Sequence, residues 1–107
     1  MQIVPGKGLL LRIPYADGEP ADKQRPFLVI NVQNRFIEML NVSSVKGKER
    51  KLLWPSNKLI MKYYPPFCAP SFVKLDSLYE IELFEELNYL VLEGGKLLDQ
   101  QELEMIK

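Results

Sequence analysis

The apolar residues of this chain occur in short runs, and turn-forming residues end each run. The runs are rich in Val, Ile, Leu and Phe, and β-branched and aromatic residues favour strands. Strands are therefore predicted over 8–13, 26–32, 36–44, 59–64 and 71–83, with 26–32 as the central one. Neither face of 71–83 is cleanly apolar, so we expect a kink there. Short strands separated by turns and closed by one short helix favour a small curled barrel over a sandwich.

The end of the chain carries helix signals. Asp99 is followed three residues later by Glu102, which fits a capping box. Leu103 and Ile106 supply the apolar stripe behind it. The preceding segment, 84–92, is ambiguous between a helical turn followed by a strand and one continuous strand. The fold class predicted is mainly β, with a short C-terminal helix.

Composition excludes several kinds of site. The 107 residues fit one compact domain, 1–107, and they include no histidine and one cysteine. Without histidine, a Ser-His-Asp triad and the two-histidine zinc motifs are excluded, and no metal or cofactor is predicted. No apolar run approaches the roughly 20 residues of a membrane helix, and no signal peptide is evident. Cys68 lacks an activating neighbour and is predicted to be a structural thiol, which suits a reducing cytoplasm.

A net charge of zero conceals an asymmetry along the chain. Residues 1–64 carry eleven Lys or Arg against five Asp or Glu, a balance of +6; residues 65–107 carry three against nine, a balance of −6. One interpretation is two solvated surfaces that happen to differ. The other is a basic face for a polyanion, with the acidic residues elsewhere on the surface.

Arg25 stands directly before Pro26 at the start of an apolar run. A guanidinium is always charged and presents a fork that matches two phosphate oxygens. At the first position of a strand, it is aimed at the adjacent loop cleft. The alternative is a surface arginine paired with Asp22 or Glu19.

Hydroxyl and carboxylate groups offer further candidates. Ser43 and Ser44 end the third predicted strand, where a hydroxyl can bond a phosphate or a ribose 2′-OH, or simply form a turn. Glu19 follows a turn glycine in the loop before Arg25. It is a candidate general base or an exposed loop residue.

A basic cluster follows the serines at once. Its cations are Lys46, Lys48, Arg50 and Lys51, and aromatic residues follow at Trp54, Tyr63 and Tyr64. Such a loop is commonly only solvated. It is also typical of a single-strand track, in which bases stack on aromatic rings and cations follow the backbone.

Four segments, in this order, resemble the MazF/PemK family of toxin endoribonucleases from bacterial toxin–antitoxin pairs. The segment GKGLLLRIPYADGEPADKQRPFLVI resembles the family's first strand, its loop with Gly and Glu, and its Arg-Pro pair. Its strand ending in Ser/Thr is resembled by NVSS. PSFVKLDSLYEIE resembles the segment that leads into the family's dimer-forming part. GGKLLDQQELEMI resembles its closing Gly-Lys-Leu, short acidic spacer and C-terminal helix.

The resemblance implies an SH3-like barrel that dimerises and cuts single-stranded RNA at short sequences without a metal. It implies that Arg25 and Ser43 are catalytic, with Ser44 as the one-residue alternative and Glu19 as the family's loop glutamate. The implied partners are RNA, a second copy of the chain and a cognate antitoxin. The alternatives are a non-catalytic barrel that binds RNA or protein, and a gyrase-poisoning toxin of the related barrel family.

The chain departs from the family pattern in three places. Gly6-Lys7 or Gly8-Leu9 stands where the family has Gly-Asp, and Glu19 lies one residue further from Arg25 than is usual. The segment before the final helix, ELFEELNYLVLEG, is longer than the family's link. We expect part of a dimer surface in 72–83 and in the helix 99–107.

Overall fold

The computed structural model describes residues 3–14, 20 and 23–107, which form a five-stranded antiparallel sheet followed by a short helix. The strands are β1 (Gly8–Leu11), β2 (Arg25–Gln33), β3 (Phe36–Ser44), β4 (Asn57–Ile60) and β5 (Ser71–Glu82), and the helix is α1 (Gln100–Ile106). 3-10 turns span Glu49–Leu53, Glu85–Tyr89 and Leu92–Gly95. Over these same ranges, no helix has the length and apolar character to cross a membrane. The prediction of a mainly-β chain with a short C-terminal helix is confirmed.

The strand order is β1-β2-β3-β5-β4, so β3 and not β2 is the middle strand. The sheet does not close into a barrel within the described residues, and the predicted curled barrel is wrong on this point. The outer side of β1 is occupied by the C-terminal part of the chain, through bridges from Leu9 to Val91 and from Lys7 to Leu97. That edge is therefore not free to pair with β4.

Both faces of the sheet are covered, which explains why β2 is apolar at successive positions and does not alternate. One face packs Leu28 and Val42 against Leu103 and Ile106 of α1. The opposite face packs Phe27, Val29 and Met39 against Leu9 and Leu87. Arg25 lies two residues before Phe27 and so continues this second face to the end of β2.

The expected kink in β5 is present as a large bulge. Val73 pairs with Val42 of β3, whereas Leu78 pairs with Leu40, so residues 74–77 have no partner on β3. Their other neighbour is β4, where Lys74 pairs with Asn57. The bulge turns residues 74–77, of which three are polar, out of the central ladder.

The C-terminal helix forms as predicted, but only half of the capping box is made. The Asp99 carboxylate accepts hydrogen bonds from the backbone N–H groups of Gln101 (3.1 Å) and Glu102 (3.2 Å). Glu102 does not return a bond to Asp99. Its side chain is buried and accepts from the backbone N–H of Lys62 at 3.0 Å, which ties α1 to the segment after β4.

The ambiguous segment 84–92 is a 3-10 turn followed by a single bridge residue, Val91. Of the two interpretations, a helical turn followed by a strand is therefore closer to the structure, although Val91 forms an isolated bridge and not a strand. The turn buries Leu87 against the second face of the sheet.

Candidate functional site

Pairing between β2 and β3 brings two of the predicted site residues together. Phe27 pairs with Asn41 in this antiparallel ladder, and continuing the register by two residues sets Arg25 across from Ser43. These residues lie at the ends of their strands, so their side chains meet at one end of the sheet. Arg25 and Ser43, which are 18 positions apart in the sequence, thereby line a common surface.

A cavity of about 390 Å³ opens at this end of the sheet. We call it the basic pocket; it is lined by Lys23, Gln24, Arg25, Pro26, Asn41, Val42, Ser43, Ser44, Lys48 and Lys74. Four of these residues are cationic, and none of the described residues that line it is acidic. Because these positive charges repel one another and no acidic side chain among the described lining residues offsets them, binding of an anion in the pocket is favourable.

Arg25 forms the floor of the basic pocket and is only 7% exposed. Its Nη2 donates to the carbonyl of Ile13 at 2.9 Å and to that of Pro14 at 3.2 Å. Its Cζ lies 5.3 Å from the ring centroid of Phe27 and 5.7 Å from that of Tyr79, within range of cation–π attraction. Arg25 is therefore not a surface arginine. Its suggested partners Asp22 and Glu19, the second also the candidate base, lie outside the described residues.

Lys48 and Ser43 are in direct contact. Lys48 Nζ donates to Ser43 Oγ at 2.8 Å, and the serine is buried whereas Ser44 is exposed. Partial desolvation lowers the pKa of Lys48, and the nearby charges of Lys51 and Lys23 lower it further. Since Ser43 Oγ accepts from the lysine, its own hydroxyl hydrogen is available to a ligand in the pocket.

Lys74 reaches the basic pocket from β5 and was missed by sequence reasoning. Burial lowers its pKa, with further lowering by Lys51, Lys48 and Arg25, partly opposed by Asp76. Its position follows from the bulge, because Lys74 is the first residue after the ladder to Val42 breaks. The only signal for it in the sequence was the expected kink. Lys23, Gln24 and Asn41 were also missed.

A second, smaller cavity adjoins the basic pocket and shares Lys74 with it. We call it the aromatic cavity; it encloses about 200 Å³ and is lined by Lys51, Trp54, Ser56, Asn57, Lys74, Asp76 and Ser77. Lys51 Nζ lies 5.8 Å from the Trp54 ring centroid. The predicted contact between the basic loop and an aromatic residue is therefore present at Trp54.

Other predicted residues lie apart from these cavities. Lys46 and Arg50 line neither the basic pocket nor the aromatic cavity. Tyr63 and Tyr64 line a separate cavity with Met61 and Leu97 near α1. Of the predicted basic cluster and its aromatic residues, Lys48, Lys51 and Trp54 line the basic pocket or the aromatic cavity.

Cys68 is exposed and donates from Sγ to Glu93 Oε1 at 2.8 Å. That hydrogen bond, with smaller contributions from desolvation and from the charge of Glu93, raises the pKa of the thiol. A raised pKa reduces the thiolate fraction and with it the reactivity of the cysteine.

Comparison with known proteins adds no family assignment. No protein-family model matches the chain, and no curated protein matches it in sequence.

Proposed function

We propose that this chain is a metal-independent endoribonuclease of the MazF/PemK kind, acting on single-stranded RNA in the cytoplasm as the toxin of a toxin–antitoxin pair. The observation that carries the proposal is the apposition of Arg25 and Ser43 in a pocket that also presents Lys48 and Lys74. A guanidinium, a hydroxyl and two ammonium groups form a donor-rich surface for one phosphodiester.

The reaction proposed is an attack of the ribose 2′-oxygen on the adjacent phosphorus. The 2′-O–P bond forms as the P–O5′ bond breaks, which leaves a 2′,3′-cyclic phosphate and a 5′-hydroxyl end. Fixed donors stabilise the charge that grows on the phosphate oxygens. Ser43 donates its free hydroxyl hydrogen to one of these oxygens, while the ammonium groups of Lys48 and Lys74 supply positive charge.

The 2′-hydroxyl proton needs an acceptor and the 5′-oxygen needs a donor. Glu19 is one proposed acceptor. The alternative acceptor is Lys74 in its neutral form, which its lowered pKa makes more accessible than in an ordinary lysine; in that case Lys48 supplies the ammonium charge without it. Lys48, in its ammonium form, is placed to return a proton to the leaving oxygen.

One observation favours a second candidate function, a domain that binds RNA without cutting it. Arg25 is buried and already donates to the carbonyls of Ile13 and Pro14, so its fork is partly used within the protein. An arginine held in this way still contributes charge, but it offers fewer donors to a transition state.

The proposed assembly is a homodimer, with an acidic-apolar antitoxin segment as the competing occupant of the RNA site. Within the predicted dimer surface, Phe72 and Val73 are buried in the chain's own core. The large apolar side chains that remain exposed on it are Leu75, Leu78, Leu83 and Met105. Those four side chains are therefore the part of the surface available to a second copy.

The test is incubation of the purified protein with a long single-stranded RNA in excess EDTA. Cleavage that leaves 5′-hydroxyl and 2′,3′-cyclic phosphate ends, and that is lost in Ser43→Ala, supports the enzyme. Lys96→Ala removes an exposed lysine that lines neither cavity and should cut at the wild-type rate. If the wild-type protein binds the RNA and leaves it intact, the proposed endoribonuclease activity is overturned, and a domain that binds RNA without cutting it is the remaining candidate.

A further inference from the structure

The aromatic cavity lies beside the basic pocket, and Lys74 lines both. A ligand that places a phosphate against Lys74 is therefore beside the cavity that Trp54 lines. Trp54 is 54% exposed, so its ring is accessible to a ligand in this cavity.

Backbone hydrogen bonds hold the walls of the aromatic cavity in place. The N–H of Asn57 donates to the carbonyl of Trp54 at 2.9 Å, and that of Leu75 donates to Ser56 at 2.7 Å. The Asn57 side-chain Nδ2 donates to the carbonyl of Lys51 at 2.9 Å. The cavity is thus built between the turn after Glu49–Leu53 and the bulge of β5.

The polar groups around Trp54 include both donors and acceptors. Lys74 is shared with the basic pocket, and the ammonium of Lys51 lies over the Trp54 ring, so we assign the edge of a stacked base to Asn57 and Asp76. Asn57 uses one N–H of Nδ2 on the carbonyl of Lys51 and keeps Oδ1 as an acceptor, and Asp76 contributes a carboxylate from the bulge. Acceptors of this kind pair with the exocyclic amino group of cytosine or adenine, and they oppose the carbonyl oxygen that uracil presents at the corresponding position.

We propose that the aromatic cavity is a nucleobase subsite for the nucleotide next to the phosphate in the basic pocket, and that it selects an amino-bearing base over uracil. The base stacks on Trp54, while Asn57 and Asp76 contact its amino edge. This inference rests on the proposed single-stranded RNA ligand, and it adds a source of sequence preference that the catalytic residues do not provide.

Trp54 is the only tryptophan of the chain, so intrinsic fluorescence reports on this subsite directly. The probes are cleavage-resistant 2′-fluoro tetranucleotides of cytidine and of uridine, an abasic strand with the same number of phosphates, and inorganic phosphate. The cytidine strand should quench the fluorescence and bind more tightly than the uridine strand. The abasic strand and phosphate should bind without comparable quenching.

Substitution at the subsite separates stacking from charge. Trp54→Leu should weaken binding of the cytidine strand roughly 5- to 150-fold, the range for losing one base–aromatic stack, and leave the abasic strand unchanged. Affinity for Trp54→Leu is measured by anisotropy of a labelled strand. Tyr89→Leu, which removes another exposed aromatic residue that lines neither cavity, should bind as wild type.

The outcomes distinguish this inference from the proposed function. Equal binding of the cytidine, uridine and abasic strands, or unchanged affinity in Trp54→Leu, would overturn the base subsite even if the protein cuts RNA. Selective quenching by the cytidine strand without any RNA cleavage would support the subsite and overturn the enzyme. Failure of every strand to bind would overturn both.

Discussion

Removing the Arg25 side chain should destabilise the fold as well as any chemistry at the pocket. Arg25→Ala deletes two hydrogen bonds from a charged donor, to the carbonyls of Ile13 and Pro14, and the packing of the guanidinium over Phe27 and Tyr79. Hydrogen bonds to charged groups contribute about 1.5–3 kcal/mol each, and a cation–π contact about 0.5–1 kcal/mol. Because Pro14 is exposed and Ile13 is partly exposed, the two carbonyls regain water in part, and we expect a loss of about 2–4 kcal/mol.

The assay is urea unfolding followed by circular dichroism. With a slope of about 1–3 kcal/mol per molar urea, the midpoint should fall by about 0.7–4 M in Arg25→Ala. Arg25→Lys keeps the charge and should lose less, whereas Arg50→Ala removes an exposed arginine and should leave the midpoint unchanged. A midpoint for Arg25→Ala equal to that of the wild type would refute the structural role. Cleavage by Arg25 variants must therefore be compared at equal folded fraction.

Three further predictions concern the basic pocket. Ser43→Ala should slow cleavage more than it weakens RNA binding, because the hydrogen bond strengthens as charge develops, and Ser44→Ala should be mild; the ratio of kcat to KM effects checks this. Lys48→Glu should weaken RNA binding and flatten its salt dependence, measured by filter binding, while light scattering shows the same assembly as wild type. The lowered pKa of Lys74 means that the unfolded chain binds more protons than the folded one as pH rises toward 10.5. Unfolding free energy should therefore rise across that window while RNA affinity falls, and Lys74→Met should reduce both trends in urea titrations and binding curves, the lowered pKa of Lys48 supplying a remainder.

Local signals in the sequence predicted the strands that end at clear turns. The third predicted strand, 36–44, coincides with β3, because its apolar run begins after a turn at Asn34 and ends at the paired serines. The fourth was placed at 59–64, but β4 is Asn57–Ile60. Its pairing is set by β5, a partner distant in sequence, and local apolar content does not report such a partner.

The basic pocket was only partly predictable, because part of it depends on register. Arg25 and Ser43 were predicted from residue type and from their places at strand ends, and Lys48 from the basic cluster that follows Ser44. Lys74 was not predicted, since the expected kink in 71–83 did not indicate which residues leave the ladder. Lys46 was assigned to the site by proximity in sequence, yet it lines neither cavity.

Glu102 shows the same limit in the helix. Its spacing from Asp99 correctly predicted a helix start, but its carboxylate bonds the backbone of Lys62, 40 residues away in the chain. A tertiary contact replaced the local one that the capping pattern describes.

The bulge in β5 allows residues that line the aromatic cavity to change independently of the residues that build the sheet. Asp76 and Ser77 line the aromatic cavity but pair with no β3 residue, so their exchange leaves the hydrogen-bonded register on either side unchanged. The hydrophobic faces constrain Val73 and Leu40 much more tightly. In the proposed base subsite, substitutions at these two positions can therefore change nucleotide preference without a compensating change in the core.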